Sequence, residues 1–153
     1  MNNQKITTRR ATPQDFDVLY ALGKATPEFQ VSADGVFMEA DEFLLAIKHP
    51  KSSFIVAECG ETIVGFIYAH SNDTDGPLKA NWACIVYLAV RPAYRKQGIA
   101  NKLYEACVED LKASGISNVY AWAHAGDNSA IINFFKKQGF DAGHTYVWMD
   151  KKI

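Results

Sequence analysis

A continuous apolar run, a short basic turn and a helix that opens at a glycine follow one another in the second half of the chain, and this order most constrains the fold. The run from Trp82 to Val90 predicts a strand buried on both faces, and Arg91-Pro92 ends it. A helix follows from Gly98, keeps one apolar face through Leu111 and stops at Gly115. The order strand, turn, helix predicts a mixed α/β domain.

The rest of the chain predicts further strands and helices around this unit. Gly60-Glu61 is typical of a tight hairpin turn between two apolar runs, and Thr12-Pro13 of a helix start. The expected strands are residues 5–10, Ser53 to Cys59, Thr62 to His70, Val119 to His124 and Thr145 to Asp150. The other expected helices follow Thr12, run from Glu39 to Lys48, and run from a cap at Asp127 or Asn128 to Gly139-Phe140. Ser71 to Lys79 is polar and predicts a loop.

Length, charge and cysteine content limit the classes of protein to which the chain can belong. The 153 residues, 48% of them hydrophobic, fit a single domain over residues 1–153 with no need of disulfides. A net charge of -1 and a pI near 6.4 argue against nucleic acid or a membrane surface as a partner. Three scattered cysteines with no metal-ligand spacing favour a reducing compartment and no metal, so we expect a cytoplasmic protein.

The basic turn before the helix has the chemistry of an anion site. A helix start presents unpaired N–H groups and a partial positive charge, and Gly98 allows close approach of a phosphate. Arg95 and Lys96 add charge. The turn lacks both the P-loop and the dinucleotide fingerprint. An ordinary packing turn with a solvated basic surface remains an alternative reading of these residues alone.

The sequence resembles the GNAT acetyltransferase superfamily at several motifs. Arg95-Lys96-Gln97-Gly98-Ile99-Ala100 is similar to that family's acetyl-CoA signature, and the segment from Asn128 to Phe140 to its second motif. Thr8 to Asp15 resembles the usual opening, and Ile63-Val64-Gly65-Phe66 the third strand. The resemblance implies a central mixed, mostly antiparallel sheet of six to seven strands with helices on both faces. Two parallel strands, Trp82 to Val90 and Val119 to His124, would splay apart to hold acetyl-CoA.

The resemblance also assigns cofactor-binding residues and a reaction. The residues implied are Leu88, Ala89, Val90, Arg95, Lys96, Gln97, Gly98, Ile99, Ala100, Asn128 and Phe135. The pyrophosphate would rest on residues 95–100, and the pantetheine arm would pair with strand backbone. An amine would attack the thioester directly in a ternary complex, while a backbone N–H of the Leu88 strand polarises the carbonyl.

Two positions depart from the family pattern and leave the acid and the base open. Many relatives carry a tyrosine acid where Phe135 stands, and some a glutamate base where Cys84 stands. His124 and His70 are the candidate catalytic residues, since an unperturbed imidazole suits a base at neutral pH. Structural or surface histidines are the alternative at both positions.

The acceptor and the partners are left open by the sequence. The expected partner is a small-molecule or peptide amine, and Glu28, Asp73 and Asp75 either border its site or are solvated loop charges. The final strand would offer a contact surface for a homodimer. An alternative function is an acetyl-CoA-binding domain with a regulatory role and little or no catalysis. A third hypothesis makes Cys84 a nucleophile assisted by His124 or His70, but it leaves the cofactor motif unexplained.

Overall fold

A five-stranded sheet organises the described part of the chain, and its strands lie side by side in chain order. The structure is a computed structural model that describes residues 5–30, 32, 35, 37–71, 81–126 and 129–153. The strands are β1 (Ile6–Arg10), β2 (Ser52–Cys59), β3 (Thr62–Ser71), β4 (Trp82–Val90) and β5 (Asn118–Ala121). Neighbours are antiparallel except β4 and β5, which are parallel. The α-helices are α1 (Phe16–Lys24), α2 (Ala40–Lys48), α3 (Ile99–Ala113) and α4 (Ala130–Lys137).

Helices cover both faces of this sheet, and each face has its own core. Helices α3 and α4 contribute Ile99, Leu103, Cys107 and Phe135 to a cluster with one set of strand side chains. Helices α1 and α2 contribute Leu19, Phe43 and Ile47 to a second cluster that includes Phe54 and Phe66. A fully buried side chain of this size contributes about 1.5–3 kcal/mol. The predicted mixed α/β fold with helices on both faces is therefore confirmed.

A bulge in β4 decides which side chains reach each core. Tyr68 pairs with Tyr87 and Ala69 with Ile85, so Val86 is an extra residue in β4. Ile85 and Leu88 consequently belong to the cluster under α3, whereas Tyr87 belongs to the cluster under α1 and α2.

The predicted start of the first helix is confirmed in its chemistry and shifted in its position. Thr12 and Asp15 form a reciprocal capping box, and Asp15 also accepts two hydrogen bonds from Arg9, at 2.7 and 2.9 Å. This cap opens a 3-10 turn at Pro13–Asp15, and α1 begins only at Phe16. The capping bonds join Thr12 to Asp15 and so enclose Pro13 in a 3-10 turn. The α-helix therefore begins only after this turn.

The carboxyl-terminal third differs most from the expectation. The predicted strand Thr145 to Asp150 is wrong, since residues 141–153 pair with no strand and are exposed. The sheet therefore has five strands among the described residues, not six or seven. The prediction relied on β-forming side chains, but a strand also needs a free neighbouring edge, and β5 has only four residues. The Tyr146 ring lies 5.9 Å from the ring of Trp122, one residue past the end of β5.

Two smaller differences concern the segment between β5 and α4. Strand β5 ends at Ala121 and does not reach His124. Ser129 caps α4, with its hydroxyl accepting a hydrogen bond from the Ile132 N–H at 3.3 Å. The caps predicted at Asp127 and Asn128, and the loop predicted after Ser71, lie outside the described residues.

Candidate functional site

Strand β4 continues for five residues beyond its last partner on β5. Pairing between the two strands runs from Trp82 with Asn118 to Ile85 with Ala121 and stops there. From Val86 to Val90, the described residues give β4 a strand partner on the β3 side only. Ile85 is 2% exposed, whereas Val86, Tyr87 and Leu88 are half-buried although they lie in the interior of the sheet. The two parallel strands thus leave a cleft between them.

The backbone of β4 directs hydrogen-bonding groups into this cleft. The Arg91 N–H donates to the Val64 carbonyl at 2.8 Å, so Arg91 bonds toward β3. Direction alternates along an antiparallel strand, and the N–H and C=O groups of Leu88 and Val90 therefore point toward the β5 side. In this structure Arg95 Nε donates to the Val90 carbonyl at 2.9 Å, which places the basic turn at the same edge.

The turn between β4 and α3 presents its backbone to solvent. Residues 95–98 are exposed, while Ile99 is buried and anchors the start of α3. Lys96 has φ 61 and Gly98 has φ 78, and a left-handed residue next to a helix start turns successive N–H groups to one side. The first intrahelical bond runs from the Lys102 N–H to the Gly98 carbonyl, so the N–H groups of residues 99–101 have no partner within the helix.

This turn has room for an anion. An added Cβ at Gly98 would meet no atom within 4 Å apart from its chain neighbours, so the space beside Gly98 is open. Unpaired N–H groups, the positive end of the helix dipole and the charges of Arg95 and Lys96 coincide there. The residues present fit a pyrophosphate, and Val86 to Val90 of the adjoining strand have no partner on β5 among the described residues.

Side-chain hydrogen bonds hold the turn in place, and two of these side chains, Arg91 and Gln138, were not among the predicted site residues. Arg91 Nε donates to the Ile63 carbonyl at 2.8 Å, and Gln97 Nε2 donates to the Ala93 carbonyl at 3.3 Å. Gln138 Nε2, just past α4, donates to Asn101 Oδ1 in the first turn of α3 at 2.9 Å. Gln138 stands in the second family motif, but its partner depends on how α4 packs on α3.

Gly65 permits the close approach of β3, β4 and α3 behind the turn. A Cβ on Gly65 would lie 2.6 Å from the Ala89 carbonyl oxygen and 3.3 Å from the Leu103 side chain. The first distance is far below van der Waals contact, so a larger residue would separate β3 from β4. Ala89, predicted as a cofactor residue, is itself buried on the α1 and α2 face.

Phe135 lies in the core beneath the turn. It is 6% exposed, its ring centroid is 4.8 Å from that of Phe140, and Leu88, Val90 and Ile99 belong to the same cluster. It offers no proton. Tyr104 packs in the same cluster, with its ring 6.1 Å from that of Phe140, and burial raises the pKa of its hydroxyl.

The structure separates the two candidate histidines. His124 lies beyond the end of β5, is exposed, and accepts a hydrogen bond at Nδ1 from the Gly126 N–H at 3.2 Å. His70 is half-buried near the end of β3, opposite Cys84, with its ring 6.1 Å from that of Tyr68. Glu28 is exposed on a 3-10 turn at Pro27–Phe29. Asn128, Asp73 and Asp75 lie outside the described residues.

The environment of Cys84 disfavours nucleophilic catalysis. Burial raises the pKa of its thiol to about 11, and a hydrogen bond with Tyr120 offsets this only in part. An attacking thiol needs a lowered pKa, so that thiolate is present at neutral pH. Cys107 is also buried, with a pKa raised to about 11. Among the described residues no cluster of three potential metal ligands occurs, and no helix is long and apolar enough to span a bilayer.

The family model for acetyltransferase (GNAT) family proteins matches residues 18–140 of this chain. This match begins within α1 and covers the cleft, the basic turn before α3 and all of α4. The chain therefore belongs to the GNAT acetyltransferase family, an acyltransferase class, as its motifs predicted.

Curated relatives with this family's activity in their names are moderately similar to the chain. Acetyltransferase SG1711 of Sodalis glossinidius is 28% identical over 107 residues, which are 70% of either chain. An N-alpha-acetyltransferase of Sulfurisphaera tokodaii is 31% identical over 104 residues, covering 64% of this chain and 62% of that protein.

Solved structures share the fold over nearly the whole chain. An aminoglycoside acetyltransferase, meta-AAC0020 from an uncultured soil metagenomic sample, in complex with sisomicin, has a TM-score of 0.73 at 20% identity. The match covers 97% of this chain and 96% of that one. The PaiA N-acetyltransferase of Thermoplasma acidophilum, in complex with coenzyme A, has a TM-score of 0.71 at 20% identity over 93% of each chain.

Proposed function

We propose that this protein transfers an acetyl group from acetyl-CoA to a primary amine, by direct attack of the amine within a ternary complex. The observation that carries the proposal is the stretch of β4 from Val86 to Val90, which has no partner on β5 among the described residues, beside an exposed basic turn at the start of α3. Family membership and a similar structure in complex with coenzyme A support the choice of cofactor.

The proposed cofactor site follows from the groups at the turn and at the cleft edge. The N–H groups of residues 98–101 and the charges of Arg95 and Lys96 would hold the pyrophosphate. Backbone groups of Leu88 and Val90 would pair with the pantetheine arm. The Val90 carbonyl accepts from Arg95 in this structure, so Arg95 would exchange that partner for phosphate. Gln97, Ile99 and Ala100 would serve through their backbone.

The chemistry then requires little from side chains. Acetyl-CoA, when bound, supplies an activated thioester and a thiol leaving group. The Leu88 N–H, aimed into the cleft, would polarise the thioester carbonyl. The attacking amine, with an unperturbed pKa of about 10, must first lose its proton, and His124 or His70 would accept it through water. Phe135 cannot protonate the leaving group, but a thiol of pKa about 8.5 is tolerable as thiolate.

A second candidate is an acetyl-CoA-binding domain with a regulatory role. The observation that favours it is the missing hydroxyl at Phe135 together with the buried, neutral thiol of Cys84 where a base stands in some relatives. Such a protein would bind acetyl-CoA without turning it over.

Thiol release distinguishes the two candidates. Acetyl-CoA binding is measured by calorimetry, and thiol release is followed with sisomicin, spermidine and a short peptide with a free amino-terminal serine. We expect binding, and thiol release that depends on one of these amines. Binding with release no faster than in buffer would support the regulatory candidate, and absence of binding would refute both. Gly98→Glu is the negative control, because a carboxylate at the turn repels phosphate.

The acceptor class and the assembly belong to the same proposal. We expect an aminoglycoside-like, polyamine or peptide amine, and neither nucleic acid nor membrane. We also expect a single domain and a cytoplasmic location, in keeping with the buried thiols of Cys84 and Cys107. A homodimer would cover the exposed side chains of Val147, Trp148 and Met149.

A further inference from the structure

Three aromatic rings meet beside the cleft on the α1 and α2 face. Tyr87 of β4 lies 4.5 Å from Phe29 and 5.3 Å from Phe37, measured between ring centroids, and Phe29 lies 6.0 Å from Phe37. All three side chains are half-buried. We call these rings the aromatic wall. They stand next to Leu88, whose backbone groups point into the cleft.

Two tyrosine hydroxyls hold the segment that carries Phe37. The Tyr87 hydroxyl donates to the Phe37 carbonyl at 2.7 Å, which ties β4 to the segment between α1 and α2. The Tyr20 hydroxyl donates to the next carbonyl, that of Met38, at 3.0 Å. A tyrosine on the strand and a tyrosine on α1 therefore hold adjacent residues of this segment.

Gly23 of α1 makes room for the wall. A Cβ at Gly23 would lie 2.3 Å from the Phe37 ring, so the ring occupies the space a side chain would fill. A cavity of about 220 Å³ lined by Gly23, Thr26, Gln30 and Gly35 also touches Phe37. The segment that carries Phe37 therefore has open space beside it once the Tyr87 bond is lost.

The aromatic wall and the proposed anion-binding turn (residues 95–98) lie on opposite faces of the same stretch of β4. Leu88 and Val90 pack with α3 on the face that carries the turn, whereas Tyr87 packs with α1 and α2. A cofactor bound at the turn fills the side of the cleft that opens on the α3 face. The amine must then reach the thioester from the opposite side, on the α1 and α2 face, which the aromatic wall borders. Aromatic faces attract ammonium groups and apolar carbon alike, so they suit an amine.

We infer that Tyr87 is a positioning residue for the acceptor: its hydroxyl holds Phe37 and, through it, Phe29 as one wall of the amine site. The inference rests on the proposed function. It predicts that removal of the hydroxyl changes recognition of the amine and leaves recognition of acetyl-CoA unchanged.

The test compares Tyr87→Phe with Tyr68→Phe. Tyr68 is a buried tyrosine of the neighbouring strand whose hydroxyl bonds to Ser52 and not to the wall. Tyr87→Phe should raise the KM for whichever of the three amines the wild type acetylates by about three- to tenfold, as expected for one lost hydrogen bond. The Kd for acetyl-CoA should stay within about twofold of wild type. Tyr68→Phe should leave both constants at the wild-type value.

Proteolysis gives a second readout that does not require turnover. Chymotrypsin cleaves after exposed aromatic residues, so Tyr87→Phe should speed cleavage after Phe37 several-fold, and Tyr68→Phe should not. Gly23→Ala displaces the same ring from the α1 side and should reproduce the rise in amine KM. If Gly23→Ala fails to fold, Phe37→Ala replaces it.

Several results would overturn the inference. An unchanged amine KM in Tyr87→Phe would separate the wall from the acceptor, even with faster proteolysis. A weaker Kd for acetyl-CoA in Tyr87→Phe would place the effect on β4 itself. A wild-type protein that binds acetyl-CoA but acetylates no amine would refute the proposed catalysis, and an acceptor role for the wall with it.

Discussion

Helix α3 offers a matched test of the proposed anion-binding turn, because a left-handed glycine stands at each of its ends. Gly98 at the start has φ 78 and Gly115 just past the end has φ 83, and an added Cβ at either would meet nothing within 4 Å. Alanine at either position therefore brings no clash, only the strain of a left-handed backbone. That strain costs about 1–2 kcal/mol, and each 1 kcal/mol lowers the Tm of a chain of this size by about 2–4 °C.

The two variants should differ only in binding. The methyl group of Gly98→Ala would project beside the N–H groups proposed to hold the pyrophosphate. Loss of one hydrogen bond to a charged group costs about 1.5–3 kcal/mol, or a ten- to hundredfold weaker Kd for acetyl-CoA. Gly115→Ala should bind acetyl-CoA as the wild type does. Calorimetry gives the Kd values and thermal unfolding the strain. Equal Kd values in both variants, at equal loss of Tm, would refute the placement of phosphate on this turn.

Three further predictions test the site and its support. Arg95→Ala should weaken binding of coenzyme A about tenfold while pantetheine, which lacks the phosphates, binds unchanged, and equal losses in calorimetry would mean that Arg95 does not meet phosphate. Phe135→Tyr should leave turnover equal or higher but lower the Tm, because its hydroxyl enters a core position that is 6% exposed; a collapse of turnover would show that the acid role is wrongly placed. Arg9 holds the pKa of Asp15 at about 2, below its ordinary 3.8, so this pair stabilises the fold above about pH 4 and the contribution is lost as the pH falls toward 2. Because Arg9 is partly exposed, the loss in free energy of unfolding should be at most about 1 kcal/mol, and Asp15→Asn should abolish this pH dependence in urea titrations.

Elements whose ends are marked by a proline or a glycine were predictable from the sequence. Strand β4 has the predicted bounds, and α3 lies between the two glycines that the sequence assigned to its ends. A proline after an apolar run, or a glycine that must adopt positive φ, acts through its own backbone. The backbone of the basic turn was predictable for the same reason, since its groups come from consecutive residues, whereas its binding of an anion stays a prediction.

Features that join distant segments were not predictable. The hydrogen bonds from Gln138 to Asn101 and from Tyr87 to Phe37 depend on how helices pack on the sheet. Nothing in the composition of Thr145 to Asp150 indicates that β5 offers it no pairing. The position of the bulge at Val86 likewise depends on the register between β3 and β4, which a single strand's pattern does not specify.

The extra residue at Val86 lets this strand absorb one change of length. Deleting it would restore a regular ladder with β3, in which side chains alternate between the two faces from Ile85 through Val90. Leu88 would still face α3 and Tyr87 would still face α1 and α2, so both sides of the cleft would keep their linings. Val86 is therefore the position in this stretch of β4 where a deletion disturbs the cleft least.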